Sequence, residues 1–252
     1  MKKFLLVLFT STIFAYAQII EVGTGNSYRP FAYVSEENQA IGFDIELLKL
    51  LSTYDESLEF NFHPLPFASL FAGLDSGKFE MLAHQLTKTK EREEKYLFSD
   101  TPYFNAVLNF IVAENSTISS FEDLKGKKIG AVVGSNQALR VEEFAAKHKD
   151  YKIKLVYFKN YGAEFLALAN GQIDALLNSP IVALDYAKAQ GLKIKITDLN
   201  LQKTAIYFLF PKNNKALKDK VSKALQKARN DGKLKELSLK YFDADYTQIK
   251  DK

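Results

Sequence analysis

The chain has 252 residues, 47% of them hydrophobic and 25% charged, with 34 Lys and Arg against 30 Asp and Glu for a net charge of +4. That balance belongs to a globular protein long enough for two modest domains or one large α/β domain, and it excludes a disordered or collagen-like chain. Cysteine is absent, which removes disulfides, thiolate metal sites, cysteine nucleophiles and thiol-linked lipid anchors, while the small net charge without a basic block interleaved with aromatics argues against nucleic acid as a partner.

Lys2 and Lys3 precede an apolar run over residues 4–9 that continues more weakly through Ile13 and Phe14 to Ala15-Tyr16-Ala17. A basic start, a short apolar core and an A-x-A site read as a signal peptide spanning residues 1–17, cleaved after Ala17. The run is well short of the roughly 20 residues a spanning helix needs. Loss of the two lysines lowers the charge from +4 to +2. The expected product is exported and unanchored, starts at Gln18, and resides in the periplasm.

From Gln18 onward short β-rich runs alternate with helical patterns, the signature of an α/β fold. Residues 18–23 read as a strand and 43–52 as a helix, with Phe43, Leu47, Leu48 and Leu51 on one face. A strand at 58–63, a helix at about 68–76 stopping at Gly77, and a strand at 80–84 follow. A helical turn begins near Thr89 within the charged run 88–95.

Residues 107–112 form a strongly apolar strand, after which the pattern restarts. Ser119 with Glu122 reads as a capping box. Residues 129–133 are a strand, Gly134-Ser135-Asn136 a turn and 137–147 a helix. Strands at 152–158, 173–177 and 192–196 are separated by helices at about 162–169 and 181–189. Another apolar strand, 204–210, ends at Pro211, and two amphipathic helices at about 214–229 and 233–241 flank Gly232. The strands at 107–112 and 204–210 each stand at a change of unit, where two strands can act as a double hinge.

Several segments are recognisable as motifs. Tyr28-Arg29-Pro30-Phe31, Ile41-Gly42-Phe43-Asp44-Ile45-Glu46-Leu47 and Leu74-Asp75-Ser76-Gly77-Lys78-Phe79-Glu80 are followed by Thr87-Lys88-Thr89-Lys90-Glu91-Arg92 and Phe98-Ser99-Asp100. Asp123-Leu124-Lys125-Gly126-Lys127-Lys128-Ile129-Gly130, Gly134-Ser135-Asn136 and Gly171-Gln172-Ile173-Asp174-Ala175 complete the set. In this order and spacing the chain resembles the amino-acid-type (family 3) bacterial extracellular solute-binding proteins of ABC importers, over nearly all of its mature length.

The resemblance implies an α/β, two-lobed periplasmic binding protein fold, each lobe a sheet flanked by helices, with two hinge strands between them. Lobe 1 would comprise residues 18–107 plus 203–252, and lobe 2 the inserted residues 108–202. It implies a monomer that captures an amino acid and delivers it to an ABC transporter permease at the inner membrane, with no cofactor, no metal and no catalysis. The stretch 90–98 together with Gln85 is most similar to the cystine and polar-amino-acid branch.

Individual positions carry physical expectations. Arg92 stands where relatives place a carboxylate clamp, and a guanidinium binds a carboxylate bidentately. Thr87 would add its N–H and hydroxyl, and Gln85 and Leu86 would lie beside it on the same strand, Gln85 offering a carbonyl to a ligand ammonium. Gly134, Ser135, Asn136 and Gln137 would present a helix N-terminus to an anion. Tyr28 and Phe67 would sandwich the ligand side chain.

One departure stands out. Relatives commonly carry an Asp for the ligand ammonium five residues after Asp174, where this chain has Ser179, preceded by Asn178. Neither residue neutralises a buried cation, which is costly to leave unpaired. The acidic residue that basic-amino-acid binders place shortly before Tyr28 is missing too, so a lysine- or arginine-specific site is not expected. A rival reading is a cyclohexadienyl or arogenate dehydratase on the same scaffold, for which His84 would be the available acid. His63, His84 and His148 show no ligand-like spacing for a metal.

Overall fold

A computed structural model describes residues 19–249, so the expected signal peptide and the cleavage after Ala17 lie outside the described residues. The chain opens with β1 (Ile19–Gly25), followed by a small antiparallel sheet of β2 (Ser27–Tyr28), β3 (Ala32–Val34) and β4 (Ala40–Ile41). Helix α1 (Phe43–Ser52) then buries Phe43, Leu47, Leu48 and Leu51, the face expected from their spacing. Strand β5 (Glu59–Leu65), helix α2 (Phe67–Asp75), strand β6 (Met81–Thr87), helix α3 (Lys90–Lys95) and strand β7 (Tyr96–Phe98) continue the alternation.

Strand β8 (Phe104–Ala113) leads into a second unit. There the Ser119–Glu122 capping box does not form. Asp123 instead accepts hydrogen bonds from the backbone N–H groups of Ser119 and Ser120 at 3.0 and 2.8 Å, ahead of a single turn at Glu122–Leu124. An aspartate one residue further on outcompetes the longer glutamate because its short side chain reaches the preceding N–H groups directly. Strand β9 (Lys128–Val132), helix α4 (Asn136–Lys147), strand β10 (Lys154–Phe158), helix α5 (Tyr161–Ala169), strand β11 (Ala175–Asn178) and helix α6 (Pro180–Gln190) complete this unit.

The two strands expected at 192–196 and 204–210 are one, β12 (Ile194–Pro211). Its alternation changes phase between Ile196 and Leu199, where the register to β8 shifts, so hydrophobic pattern alone broke it in two. Helices α7 (Lys215–Asn230) and α8 (Lys233–Phe242) close the chain, α7 capped by the Asn214 side chain.

Strand order places the site. The main sheet runs β10-β9-β11-β8-β12-β6-β1-β5, with β7 paired to β12. At one end β5-β1-β6 is a parallel stack and at the other β10-β9-β11 is a second parallel stack. Between them β8 and β12 form an antiparallel ribbon, paired from Phe104–Ile206 to Ala113–Ile194 with register shifts around Asn200. Helices α7 and α8 return to pack on α1, and the Phe242 ring meets those of Phe31, Phe43 and Phe104. In open α/β sheets, ligand sites lie beyond the carboxyl ends of such parallel strands. Here the carboxyl ends of β6, β9 and β11 face one another across the ribbon.

Candidate functional site

Strand β6 delivers the first wall. At its end Gln85 adopts a left-handed backbone with φ 47°, a conformation natural to glycine and strained for a longer side chain. Asp44, fully buried in the first turn of α1, holds it there. Its carboxylate accepts the Gln85 N–H at 3.0 Å and the Gln85 side-chain amide at 2.8 Å. Burial pushes the Asp44 carboxyl up to about 7, a rise that these bonds from Gln85 and a contact with Tyr103 hold in check. The bend in β6 is thus tied to a buried acid.

Arg92 sits in the short helix α3, whose first turn is fixed by the Thr89 hydroxyl accepting the Arg92 N–H at 3.2 Å. Only 9% of Arg92 is exposed, and burial pulls its guanidinium down from the usual arginine value. The guanidinium donates to the Thr87 carbonyl at 3.2 Å and, across to the second unit, to the Gly134 carbonyl at 3.2 Å. It also stacks over Phe71, 4.9 Å from the ring centre. No carboxylate among the described residues forms an ion pair with it. It is a buried cation bound only to carbonyls, a donor set suited to an anion.

Facing Arg92 is the start of α4. Gly134 turns the chain at φ +73°, and the Ser135 hydroxyl accepts the Ala138 N–H at 3.0 Å. The cap leaves the N–H groups of Asn136 and Gln137 as free donors at the positive end of a helix dipole. Phe67 packs beside this turn, 3.9 Å from where a Gly134 side chain would begin. Leu86 points into the apolar cluster beneath, with Phe67, Leu70 and Leu82, so its side chain faces the core.

Tyr28 joins the units. Its hydroxyl donates to Asn178 Oδ1 at 3.0 Å and accepts from Gln137 Nε2 at 3.1 Å, while its ring lies 4.4 Å from that of Tyr161. Nearby, Arg29 pairs with Asp185 at 2.8 Å and Tyr186 donates to the Ser27 carbonyl. The cleft between the stacks is closed over a cavity of about 20 Å³, room for about one water molecule.

Tyr28, Gln85, Thr87, Asn136, Gln137 and Ser179 line that cavity. Arg92, Gly134, Ser135, Phe67 and Asn178 are brought together around it, next to the lining residues. Four further lining residues, Ala106, Leu108, Thr204 and Ile206, come from the ribbon strands β8 and β12 and escaped sequence reasoning. Inward alternation along those strands was the available signal. Two buried acids were missed as well. Asp44 and Glu164 each break an apolar helix face. His84, between the rings of Tyr28 and Phe67 at 5.3 Å each, has both ring nitrogens unpartnered, and burial and then Arg92 push it down to about 3. No group of three or more His, Asp or Glu side chains suited to a metal occurs among the described residues.

Comparison with known proteins points the same way. The family model for bacterial extracellular solute-binding proteins, family 3, matches residues 20–244. The L-cystine-binding protein TcyK of Bacillus subtilis is 34% identical over 235 residues, covering 92% of this chain and 86% of the relative. Among solved structures, a putative L-cystine ABC transporter protein from Listeria monocytogenes superposes with a TM-score of 0.82 at 33% identity, covering 92% of this chain and 98% of the other. An ancestral arginine-binding protein bound to arginine matches with a TM-score of 0.82 at 32% identity, covering 90% and 100%.

Proposed function

The chain belongs to the bacterial extracellular solute-binding proteins of family 3, and from that premise we propose that it captures an amino acid, with cystine or another polar amino acid favoured, and delivers it to an ABC transporter permease. The relatives are named as binding proteins, and the chain is proposed to bind without transforming its ligand. It would act in the periplasm as a monomer after cleavage at Ala17. Residues 18–107 and 203–252 would form lobe 1, and residues 108–202 lobe 2.

The observation that carries this reading is the junction of Arg92 with the α4 N-terminus. Arg92 reaches the Gly134 carbonyl from the other stack, beside the free donors of Asn136 and Gln137. One carboxylate seated there would be held from both sides, and a ligand touching both sides favours the closed form. Thr87 and Gln85 would complete the first wall, and Tyr28 and Phe67 would flank the ligand side chain. His84, which burial and Arg92 push down to about 3, is a neutral imidazole at neutral pH and a poor general acid, which weighs against a dehydratase.

Calorimetry against the amino acids and L-cystine tests the proposal. Binding should be seen for at least one of them, and Arg92→Ala should weaken it by about ten- to hundredfold, the value of a lost charge-assisted pair. Wild-type affinity in that variant would remove Arg92 from the site.

A further inference from the structure

The second wall of the cleft lacks the aspartate that relatives use for a ligand ammonium, yet it conceals another acid. Glu164, on the face of α5 shared with Tyr161, Phe165 and Leu168, is 1% exposed. Neither of its carboxylate oxygens has a hydrogen-bond partner. A buried carboxyl normally recruits donors. The hydroxyls around this one are committed elsewhere: Tyr28 donates to Asn178 and Tyr186 to the Ser27 carbonyl. Strand β9 makes room for the carboxylate with Gly130, where a Cβ would come within 3.2 Å of Glu164 Oε1. At the end of the neighbouring β11, the side-chain nitrogen of Asn178 is also buried without a partner.

We infer that Glu164 is the counter-charge for a cationic group of the ligand, standing in for the acid that Ser179 replaces. The inference rests on the amino-acid-binding reading above. Tyr28 belongs to the first stack, so separation of the stacks withdraws it from Asn178 and uncovers the wall behind which Glu164 lies. The titratable groups that feel the Glu164 charge are Tyr161 on its own helix, Tyr28 on β2 and Tyr186 on α6, all held protonated far above neutral pH. From β9 it faces Gly130, and α5 also packs on β2, β8, β10, β11 and α6. Among the described residues no cation opposes it, and burial alone pushes its carboxyl up to about 8. At neutral pH the buried carboxyl favours its protonated form, and pairing with an ammonium must expel that proton, so binding releases protons.

Calorimetry at pH 7 in two buffers of different ionisation heat reads that proton directly. Wild type should release it on binding L-cystine, and not on binding dithiodipropionate, the same skeleton without its amino groups. Glu164→Gln should bind L-cystine about tenfold more weakly or worse, bind dithiodipropionate as wild type does, and release no proton. Unchanged cystine affinity and proton release in Glu164→Gln would overturn the inference while leaving amino-acid binding intact. Should the variant fail to fold, equal proton release by wild type with the two ligands overturns it instead. If wild type binds no amino acid at all, the underlying reading falls and the inference with it.

Discussion

Gln85 shows how a single position can be set by its neighbour's chemistry. A left-handed φ of 47° would favour glycine, and Asp44 compensates with two hydrogen bonds. The raised carboxyl of Asp44 has a consequence for stability. Its native pKa of about 7 lies above the unfolded value of 3.8, so between those values the folded state binds more protons than the unfolded one. Asp44 therefore contributes a fall in stability as pH rises from about 4 to 7, which His84, at about 3 against 6.5 unfolded, opposes only up to about pH 6.5. Glu164, at about 8 against 4.5, extends the decline by the same sign. Urea midpoints at pH 5 and pH 8 should show wild type less stable at the higher pH. Glu164→Gln should narrow that gap, and an unchanged gap would contradict the burial assigned to the carboxyl. Neither acid was singled out from sequence, because an acid on an apolar helix face is betrayed only by the partners it buries among.

At the scale of elements, most strands and helices were legible to within a few residues because their apolar spacing matches one period cleanly. The exceptions share a cause. Strand β12 does alternate, but Leu199 and Leu201 are out of phase with Ile194 and Ile196, because the pairing to β8 shifts register around Asn200, so one continuous period does not announce it. Tyr28 ends a strand of the short antiparallel sheet and Arg29 lies in the turn after it, and the contacts of this region to α6 depend on tertiary closure. The Arg29–Asp185 pair, with 35% and 26% of the side chains exposed, is worth about 0.5 kcal/mol at most by comparison with other surface pairs. Because it spans the two stacks, that energy bears on closure rather than on folding. Arg29→Ala should therefore shift the ligand-free population toward the open form by about twofold while leaving the melting temperature nearly unchanged. Distance measurements between spin labels on α2 and α6 would register the shift; an unaltered distance distribution would deny the pair any part in closure.

For the whole molecule, closure and ligand capture are one equilibrium. A ligand bound only by the folded chain stabilises it by about 2.7 kcal/mol at a hundredfold excess over Kd, which for a domain of this size raises Tm by about 5–10 °C. Thermal shift against an amino-acid panel should reveal the ligand by that size of effect, and a flat response across the panel would argue against the proposed ligand class. The fold class and the segments that converge on the cleft were readable in the sequence because ordered motifs survive in it. The acid proposed for the second wall was not, since Ser179 marks only the loss of an acid and Glu164 lies 15 residues upstream on a different element.

The return of α7 and α8 to α1 also bears on how the chain acquires its structure. The stack β10-β9-β11 is contiguous in sequence apart from its ribbon strands, so it can assemble as soon as those residues are available. The stack β5-β1-β6 is packed by α1 and α2, but the outer face of α1 is covered only when the last helices arrive, more than 150 residues later. A chain that emerges amino end first must leave the α1 surface uncovered until synthesis or translocation is nearly complete. Its first helix is thus the last to be fully sheltered, and the interval before α7 docks is when this protein would most need a chaperone.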